Sequence, residues 1–279
     1  MSGLRTDGAS AARAARAREL TTEASPTAEL LGFYAALVEY QQRLAGEGYA
    51  ASGGSLLDAI DATWVGGAAR DLVRWLVDVA PPGLVASTDA VRDVAEEEWR
   101  ELFESYRAGP DDAAARCSEA ALFALEAVLQ PVAERLAADR ISAPARIVGR
   151  GLSDPADGAT HPRCPACGGA PVVGVLREEG HGARRRLVCG LCLTEWDYLR
   201  VVCVKCGEQR FEALPVFTAD QFPQARVDAC ETCRGYLKTI DATRDGRAVP
   251  VVDDLATSAL DLWAREQGYV RVRANLLRT

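Results

Sequence analysis

Eight of the nine cysteines in this 279-residue chain lie between positions 164 and 233, where they form four Cys-x-x-Cys pairs. The pairs are Cys164/Cys167, Cys189/Cys192, Cys203/Cys206 and Cys230/Cys233. Two residues between cysteines let one tight turn direct both sulfurs to a common point, and two such turns complete a tetrahedron around zinc or iron. The spacing therefore predicts two sites of four thiolates, each holding one metal ion.

The order of the pairs favours sequential pairing, the first with the second and the third with the fourth. Glycine follows the leading pair of each set, as Gly168 and Gly207, whereas Leu193 and Arg234 follow the trailing pairs. The two sets also repeat at an offset of about 40 positions, as a duplicated unit would. We expect each glycine to adopt a positive φ and to direct its N–H toward the thiolates. Crossed pairing, the first with the third, remains an alternative.

The chemistry of such sites is limited. Four cysteines leave no coordination position for water, which disfavours hydrolytic metal catalysis. Zinc in this cage stabilises the fold, whereas iron can accept and release one electron, as in rubredoxins. Histidine occurs only as His161 and His181, and we expect neither to bind metal or to form a Ser/His/Asp triad. The Gly-x-x-x-x-Gly-Lys-Ser/Thr phosphate loop is missing as well.

Two other functions use the same residue types. A zinc ribbon can bind nucleic acid, but residues 1–150 contain 15 arginines against 23 aspartates and glutamates, residues 151–279 contain 17 of each sign, and the net charge is −8. Nucleic-acid binding draws on a cationic surface, so we expect none here. The compact basic run Arg184–Arg186 is interpreted as a solvated strand face. A thiol oxidoreductase would need a free, exposed Cys-x-x-Cys pair.

Two kinds of segment must position the cysteines. Residues 26–150 show helical periodicity, with one apolar stripe at Leu122, Leu125, Leu129, Val132 and Leu136, and are predicted to form a helical bundle. Residues 151–163, rich in Gly, Asp and Pro, are predicted to be a linker. Cys117 lies in the bundle and is interpreted as a buried thiol.

Beyond the linker the sequence changes to short β-branched runs. We expect one metal ribbon over residues 164–200 and a second over 201–245, with a single strand, 195–202, connecting them. Residues 250–279 are predicted to form a C-terminal helix and tail, with Asp253 as its N-terminal cap. The predicted class is α+β: an N-terminal all-α bundle, two tandem rubredoxin-like or zinc-ribbon modules, and a C-terminal helix.

The location of the protein is predicted from what the sequence lacks. No apolar run approaches the ~20 residues that cross a bilayer, and residues 1–20 have no apolar signal core. We therefore expect no membrane insertion. Thiolates that must stay reduced to bind metal fit a cytoplasmic protein. The Arg-rich residues 1–25 are expected to form a disordered tail.

Several motifs occur in a fixed order around the cysteines. They are Cys164-Pro165-Ala166-Cys167-Gly168, Cys189-Gly190-Leu191-Cys192, Thr194-Glu195-Trp196, Arg200, Cys203-Val204-Lys205-Cys206, Cys230-Glu231-Thr232-Cys233, Gly235-Tyr236-Leu237-Lys238 and Asp253-Asp254-Leu255-Ala256. This succession, over about residues 160–275, closely resembles the formate dehydrogenase accessory protein family FdhE.

The resemblance implies a cytoplasmic assembly factor rather than an enzyme. Such a protein would bind the catalytic subunit of a molybdenum- or tungsten-containing formate dehydrogenase during its maturation. The eight paired cysteines match the family's ligands, and the resemblance favours two iron ions, with zinc possible. Five further residues match family motifs and are candidates for binding the client subunit: Thr194, Glu195, Trp196, Asp253 and Asp254.

Overall fold

In a computed structural model of the protein, the described residues are 3–21, 27–49, 54–82, 89–109, 113, 116–142 and 162–279. Their N-terminal part is helical and their C-terminal part is built on a sheet, which confirms the predicted α+β class. The predicted linker lies outside these ranges except for its last two residues, and so does His161. None of the described helices has the length and apolar character needed to cross a membrane.

The N-terminal domain is a bundle of helices. Within the described residues these are α1 (Gly3–Leu20), α2 (Ala28–Leu44), α3 (Ala62–Val79), α4 (Glu96–Ala108) and α5 (Glu119–Ser142). The predicted stripe on α5 is buried from Leu122 to Val132, and Pro131 lies inside the helix, which continues to Ser142. Cys117, predicted to be buried, is only partly so.

The first helix corrects the expectation of a disordered tail over residues 1–25. Residues 3–20 are helical, and two of the arginines that suggested a tail are buried. Arg13 pairs with Glu134 at 2.7 Å, and Arg16 pairs with Asp253 at 2.6 Å. The sequence could not show this, because both partner carboxylates come from distant parts of the protein.

Replacing Arg16 with glutamine is expected to release α1 from the rest of the protein. Asp253 has no exposed surface, so losing its cationic partner leaves a buried charge uncompensated, at a cost of about 3–5 kcal/mol. Amide hydrogen exchange in α1 should accelerate by roughly 100-fold or more. Arg18→Gln is the matched control, because Arg18 pairs with Glu39 on the surface and should cost under about 1 kcal/mol. Equal amide exchange rates of α1 in both variants would show that the buried Arg16–Asp253 pair does not hold α1 in place.

The C-terminal domain contains one sheet made from both metal ribbons. Its strands are β1 (Pro171–Glu179), β2 (Gly182–Cys189), β3 (Glu195–Asp197), β4 (Val216–Thr218), β5 (Ala225–Ala229), β6 (Gly235–Asp241) and the short β7 (Val270–Arg271). The order is β3-β2-β1-β6-β5-β4, with β7 also pairing with β6. The first two strands form an antiparallel hairpin that turns at Gly180, which has φ 58°.

The two ribbons are joined differently from the prediction. Residues 195–202 do not form one strand, because β3 ends at Asp197. Instead β1 and β6 pair in parallel, with Gly174 opposite Thr239. A Cβ on Gly174 would lie 2.4 Å from Thr239 Oγ1, so glycine is required for this close approach. The ribbons therefore share a continuous hydrogen-bonded sheet rather than a single connecting strand.

The predicted C-terminal helix is divided into α6 (Pro250–Ala256) and α7 (Ser258–Glu266). The buried Lys238 Nζ donates to the carbonyl oxygens of Asp254, at 2.6 Å, and Thr257, at 3.3 Å, so these carbonyls end one helix instead of continuing it. Val249 occupies the N-terminal cap position of α6, and Asp253 lies one turn into the helix. Asp253 Oδ2 nevertheless accepts the Val249 N–H at 2.8 Å.

Candidate metal centres

The eight paired cysteines form two clusters in sequential order. Cluster 1 consists of Cys164, Cys167, Cys189 and Cys192, and cluster 2 consists of Cys203, Cys206, Cys230 and Cys233. The sulfurs within each cluster all lie within 4.8 Å of one another, and no cysteine forms a disulfide. The predicted pairing of first with second and third with fourth is confirmed, and the crossed alternative is wrong.

The spacing of the sulfurs fits a tetrahedral metal ion. With a metal–sulfur distance of about 2.3 Å, the edges of the tetrahedron are about 3.8 Å long. In cluster 2 the Cys203–Cys233 and Cys206–Cys230 sulfur distances are both 3.7 Å. In cluster 1 the Cys164–Cys192 distance is 3.5 Å and the Cys167–Cys189 distance is 3.4 Å. Each cluster can hold one metal ion, and four thiolates suit zinc and iron alike.

All four Cys-x-x-Cys turns have the same backbone conformation. The residue after each second cysteine has a positive φ, which is 75° at Gly168, 77° at Gly207, 56° at Leu193 and 53° at Arg234. The glycines were predicted to do this, but no sequence signal pointed to Leu193 and Arg234. A non-glycine residue costs roughly 1–2 kcal/mol in this region, which the surrounding turn must offset.

A backbone hydrogen bond closes each turn and helps to hold this conformation. The N–H of the first cysteine donates to the carbonyl five residues later at 2.8–3.0 Å, as from Cys189 to Thr194 and from Cys230 to Gly235. The turns of the trailing pairs are therefore as regular as those of the leading pairs. The sequence difference between them marks a difference in side chain, not in backbone geometry.

Backbone N–H groups also donate to the sulfurs, though from other positions than expected. The Gly168 N–H donates to the Cys164 carbonyl, and it is Gly169 N–H that reaches Cys167 Sγ, at 3.4 Å. In cluster 2 the Lys205 N–H lies 3.4 Å from Cys203 Sγ. Such N–H groups offset the negative charge of metal-bound thiolates.

The ionisation of the clusters depends on a bound cation. Burial raises the pKa of Cys203 to about 12. In cluster 1, hydrogen bonding to Cys164 and the other sulfurs raises the pKa of Cys192 and lowers that of Cys189. Opposite shifts on neighbouring thiols show that four sulfurs this close do not all ionise unaided. Metal binding must therefore displace protons, which couples it to pH and to folding.

The two clusters lie in different surroundings. Cys164, Cys189 and Cys192 of cluster 1 belong to the hydrophobic core that the helical domain shares with Val252 and Leu255 of α6. Cluster 2 is closer to the surface, and its Cys206 is exposed. Cluster 1 therefore lies where the two domains pack together, whereas cluster 2 is accessible from solvent at Cys206.

Three of the candidate client-binding residues lie beside cluster 1 and are partly exposed. The Thr194 hydroxyl is 3.2 Å from Cys192 Sγ. Glu195 pairs with Arg177 across the sheet, and Trp196 packs against the core of the helical domain. Trp196 is thus partly core and partly surface. All three retain some surface that another protein can contact.

The other two candidates, Asp253 and Asp254, are fully buried, so neither offers an atom to a client. Asp253 pairs with Arg16, while Asp254 Oδ1 lies 3.1 Å from Lys238 Nζ and 2.5 Å from Arg271. Burial alone would raise the pKa of Asp254, but Arg271 and Lys238 outweigh it and hold the pKa below its ordinary value. The motifs 235–238 and 253–256 therefore meet in a buried ion network.

Sequence reasoning missed the residues that tie cluster 1 to the helical domain. Arg273 pairs with Glu126 of α5 at 2.7 Å and packs over Gly190, where a Cβ would come within 2.3 Å of its Nε. Arg278 pairs with the other Glu126 oxygen at 2.6 Å. The glycine in Cys189-Gly190-Leu191-Cys192 was the available signal, because it leaves room for this arginine beside the metal centre.

The fold and these centres define a metal-binding protein in which a helical domain is joined to a paired four-cysteine ribbon sheet. Residues 163–200 match the family model described as FdhE, central domain, and residues 201–278 match FdhE, C-terminal domain. Residues 163–278, which contain both clusters, therefore match two consecutive domains of the FdhE family.

Individual relatives show the same similarity. The chain is 40% identical over 116 residues to a protein FdhE homolog of Aquifex aeolicus, covering 41% of each protein. It is 40% identical over 119 residues to a homolog from Pseudomonas aeruginosa, covering 41% of this chain and 38% of the relative. These alignments thus span about two fifths of the relatives' length.

The structural similarity extends further along the sequence. The crystal structure of the FdhE protein from Pseudomonas aeruginosa superposes with a TM-score of 0.68 at 27% identity, covering 96% of this chain and 95% of that one. The helical domain, outside the two matched family models, is included in that superposition.

Proposed function

We propose that this protein is a non-enzymatic cytoplasmic accessory factor that binds the catalytic subunit of a molybdenum- or tungsten-dependent formate dehydrogenase during its maturation. The observation that carries the proposal is the match of residues 163–278 to the FdhE central and C-terminal domains. Closed four-cysteine clusters support it, because they leave no coordination position for a substrate.

The surface near cluster 2 is suited to contact with another protein. Four large apolar side chains are exposed in this part of the structure: Leu199, Val201, Phe211 and Val216, hereafter the apolar rim. Phe211 has 75% of its surface exposed. Exposed apolar side chains concentrated in one region indicate an interaction site. Of the five candidate client contacts, we retain Thr194, Glu195 and Trp196, and we assign Asp253 and Asp254 to holding the fold.

Capture of the client tests this function. The tagged protein, purified without air, is expected to retain the catalytic subunit of its own formate dehydrogenase, and Phe211→Ser with Val216→Ser should weaken retention at least about tenfold. Leu262→Ser is the control, because Leu262 is equally exposed on α7, outside the apolar rim. Failure of the unaltered protein to retain the subunit would overturn the proposal. Salt-sensitive retention on heparin or RNA would favour a nucleic-acid module instead.

We also propose that both clusters hold iron in the cell. Bound iron would change the charge of each site by one unit between its ferric and ferrous forms, whereas zinc would be only structural. Elemental analysis and a visible spectrum of protein purified without air decide between them. Two iron ions per protein molecule with the red ferric-thiolate absorption are expected, and colourless protein with two zinc ions would refute the iron assignment.

A further inference from the structure

A cavity of about 50 Å³ lies beside cluster 2. Cys203 and Cys230 form part of its wall, together with residues of β2, β5 and the loop that precedes β4. A water-sized group needs roughly 10–15 Å³ of such volume, so the cavity accommodates about three or four of them. That is the size of a carboxylate group with the carbon that bears it.

The cavity contains an excess of positive side chains. Arg185, Arg200 and Arg226 line it, and Asp228 is the one carboxylate among the lining residues. Asp228 pairs with both Arg226, at 2.8 Å, and Arg185, at 3.2 Å. Cys203 and Cys230 of cluster 2 also line this space and add negative charge, so at most a singly charged anion is favoured there.

Arg185 is the buried charge of this cavity. The run Arg184–Arg186 was interpreted as a solvated strand face, but strand alternation turns the middle arginine inward, and only 3% of it is exposed. Its Nη1 donates to the carbonyls of Leu199, at 3.2 Å, and Val202, at 3.3 Å, whereas its Nε–H has no acceptor. An unsatisfied buried donor is costly, and an acceptor brought beside it would remove that cost.

The electrostatics of Arg185 agree with this geometry. Burial lowers its pKa below the ordinary value, Asp228 opposes that shift and Arg226 adds to it. One shared carboxylate therefore does not compensate the guanidinium. An incoming anion would supply the missing counter-charge and the missing acceptor together.

The remaining walls are largely apolar. Val204, Leu214 and Pro215 line the cavity, as does Val216 of the apolar rim. Leu199 and Val201, which are exposed, flank the lining residue Arg200 in the sequence. A ligand for this site should therefore combine one negative charge with an apolar neighbourhood, which is the chemistry of a peptide and not of a free inorganic ion.

We propose that this cavity is a docking site for a carboxylate on an apolar segment of a partner protein, held by Arg185 and Arg226. The proposal rests on the proposed function, since it names the chemistry by which the client would be recognised near cluster 2. The carboxylate can come from an acidic side chain or from the carboxyl terminus of the partner.

Small carboxylates test the site directly on protein loaded with zinc, because paramagnetic iron in cluster 2 would broaden the arginine resonances beside it. We expect N-acetyl-leucine or N-acetyl-glutamate α-amide to shift the Arg185 Nε–H resonance saturably, with a dissociation constant in the millimolar range. N-acetyl-leucine amide, which has no carboxylate, should not shift it. Stronger binding of N-acetyl-leucine would identify a terminal carboxylate, and stronger binding of the glutamate derivative an acidic side chain. No shift with either carboxylate would overturn the proposal.

Variants of the lining arginines show whether the small carboxylates bind in this cavity. Arg185→Lys, which identifies the resonance, and Arg226→Gln, at a less buried position, should each weaken binding at least about tenfold, as loss of a charge-assisted hydrogen bond does. Binding to Arg226→Gln is followed by calorimetry as well, so the test stands even if Arg185→Lys does not fold. Arg184→Gln is the control, because Arg184 pairs with Glu179 on the exposed side of the strand. Unchanged binding in Arg226→Gln would also overturn the proposal.

Retention of the client subunit, compared with binding of the small carboxylates, distinguishes failure of the anion site from failure of the proposed function. If the Arg226→Gln variant retains the formate dehydrogenase subunit as well as the unaltered protein does, the function stands and the cavity has no part in it. If the unaltered protein binds the small carboxylates but never retains the subunit, the anion site stands and the function proposed for the protein is wrong.

Discussion

Replacing Cys189 with serine is expected to remove the metal from cluster 1 and to unfold much of the C-terminal domain. Cys189 has no exposed surface, and cluster 1 belongs to the core that joins the two domains. Structural zinc contributes about 10–16 kcal/mol to folding in small model domains, and total stability is usually only about 5–15 kcal/mol. We therefore expect a loss of at least about 5 kcal/mol, measured by chemical denaturation, with about one metal ion left per protein molecule.

Two further cysteine variants serve as controls for this result. Cys206→Ser should also remove one metal ion, but from the exposed cluster 2, so the helical domain should melt at nearly its original temperature. Cys117→Ser should keep both metal ions, because Cys117 belongs to neither cluster. The interpretation fails if Cys189→Ser retains two metal ions, or if Cys206→Ser destabilises the helical domain equally.

Lys238→Met is expected to destabilise the protein by about 3–5 kcal/mol without removing a metal ligand. Lys238 has no exposed surface, and its Nζ lies 2.5 Å from Asp261 and 3.1 Å from Asp254. Methionine keeps most of the side-chain volume but leaves two buried carboxylates with Arg271 as their remaining nearby cation. The free energy of unfolding and the metal content should be measured on the same preparation.

Lys205→Met is the matched control, because the sequence has only these two lysines. Lys205 is exposed, and its stem packs near Gly235 beside cluster 2. Its replacement should change the stability by under about 0.5 kcal/mol. A Lys238→Met protein as stable as the control would show that the buried ion network does not hold α6 and α7 to the sheet.

The two ribbons are alike in geometry but differ in their surroundings. Each cluster is formed by two Cys-x-x-Cys turns, and all four turns share one backbone conformation. The sulfur spacing of the two clusters is also similar. Cluster 1 is covered by the helical domain and by Arg273, whereas cluster 2 borders an arginine-lined cavity and the apolar rim. This asymmetry gives one metal centre a structural position and the other a position from which it can affect binding.

The metal centres were predictable from the sequence because their information is local. A Cys-x-x-Cys turn specifies where two sulfurs point, so the eight ligands followed from spacing, and the glycines after the leading pairs favoured the sequential pairing. The apolar stripe of α5 is equally local, since its buried side chains repeat at the helical period.

Only the tertiary structure decided which charged residues are buried and with what partners. From the sequence, Arg16 was assigned to a disordered tail and Arg185 to a solvated strand face. Asp253 and Asp254 were candidates for client binding. Each of the four is almost fully buried. Their partners lie up to 237 residues away, as for Arg16 and Asp253. Cysteine ligation is determined by spacing along the polypeptide. Burial of a charge depends on a counter-charge that folding brings from a distant part of the sequence, so no local sequence pattern predicts it.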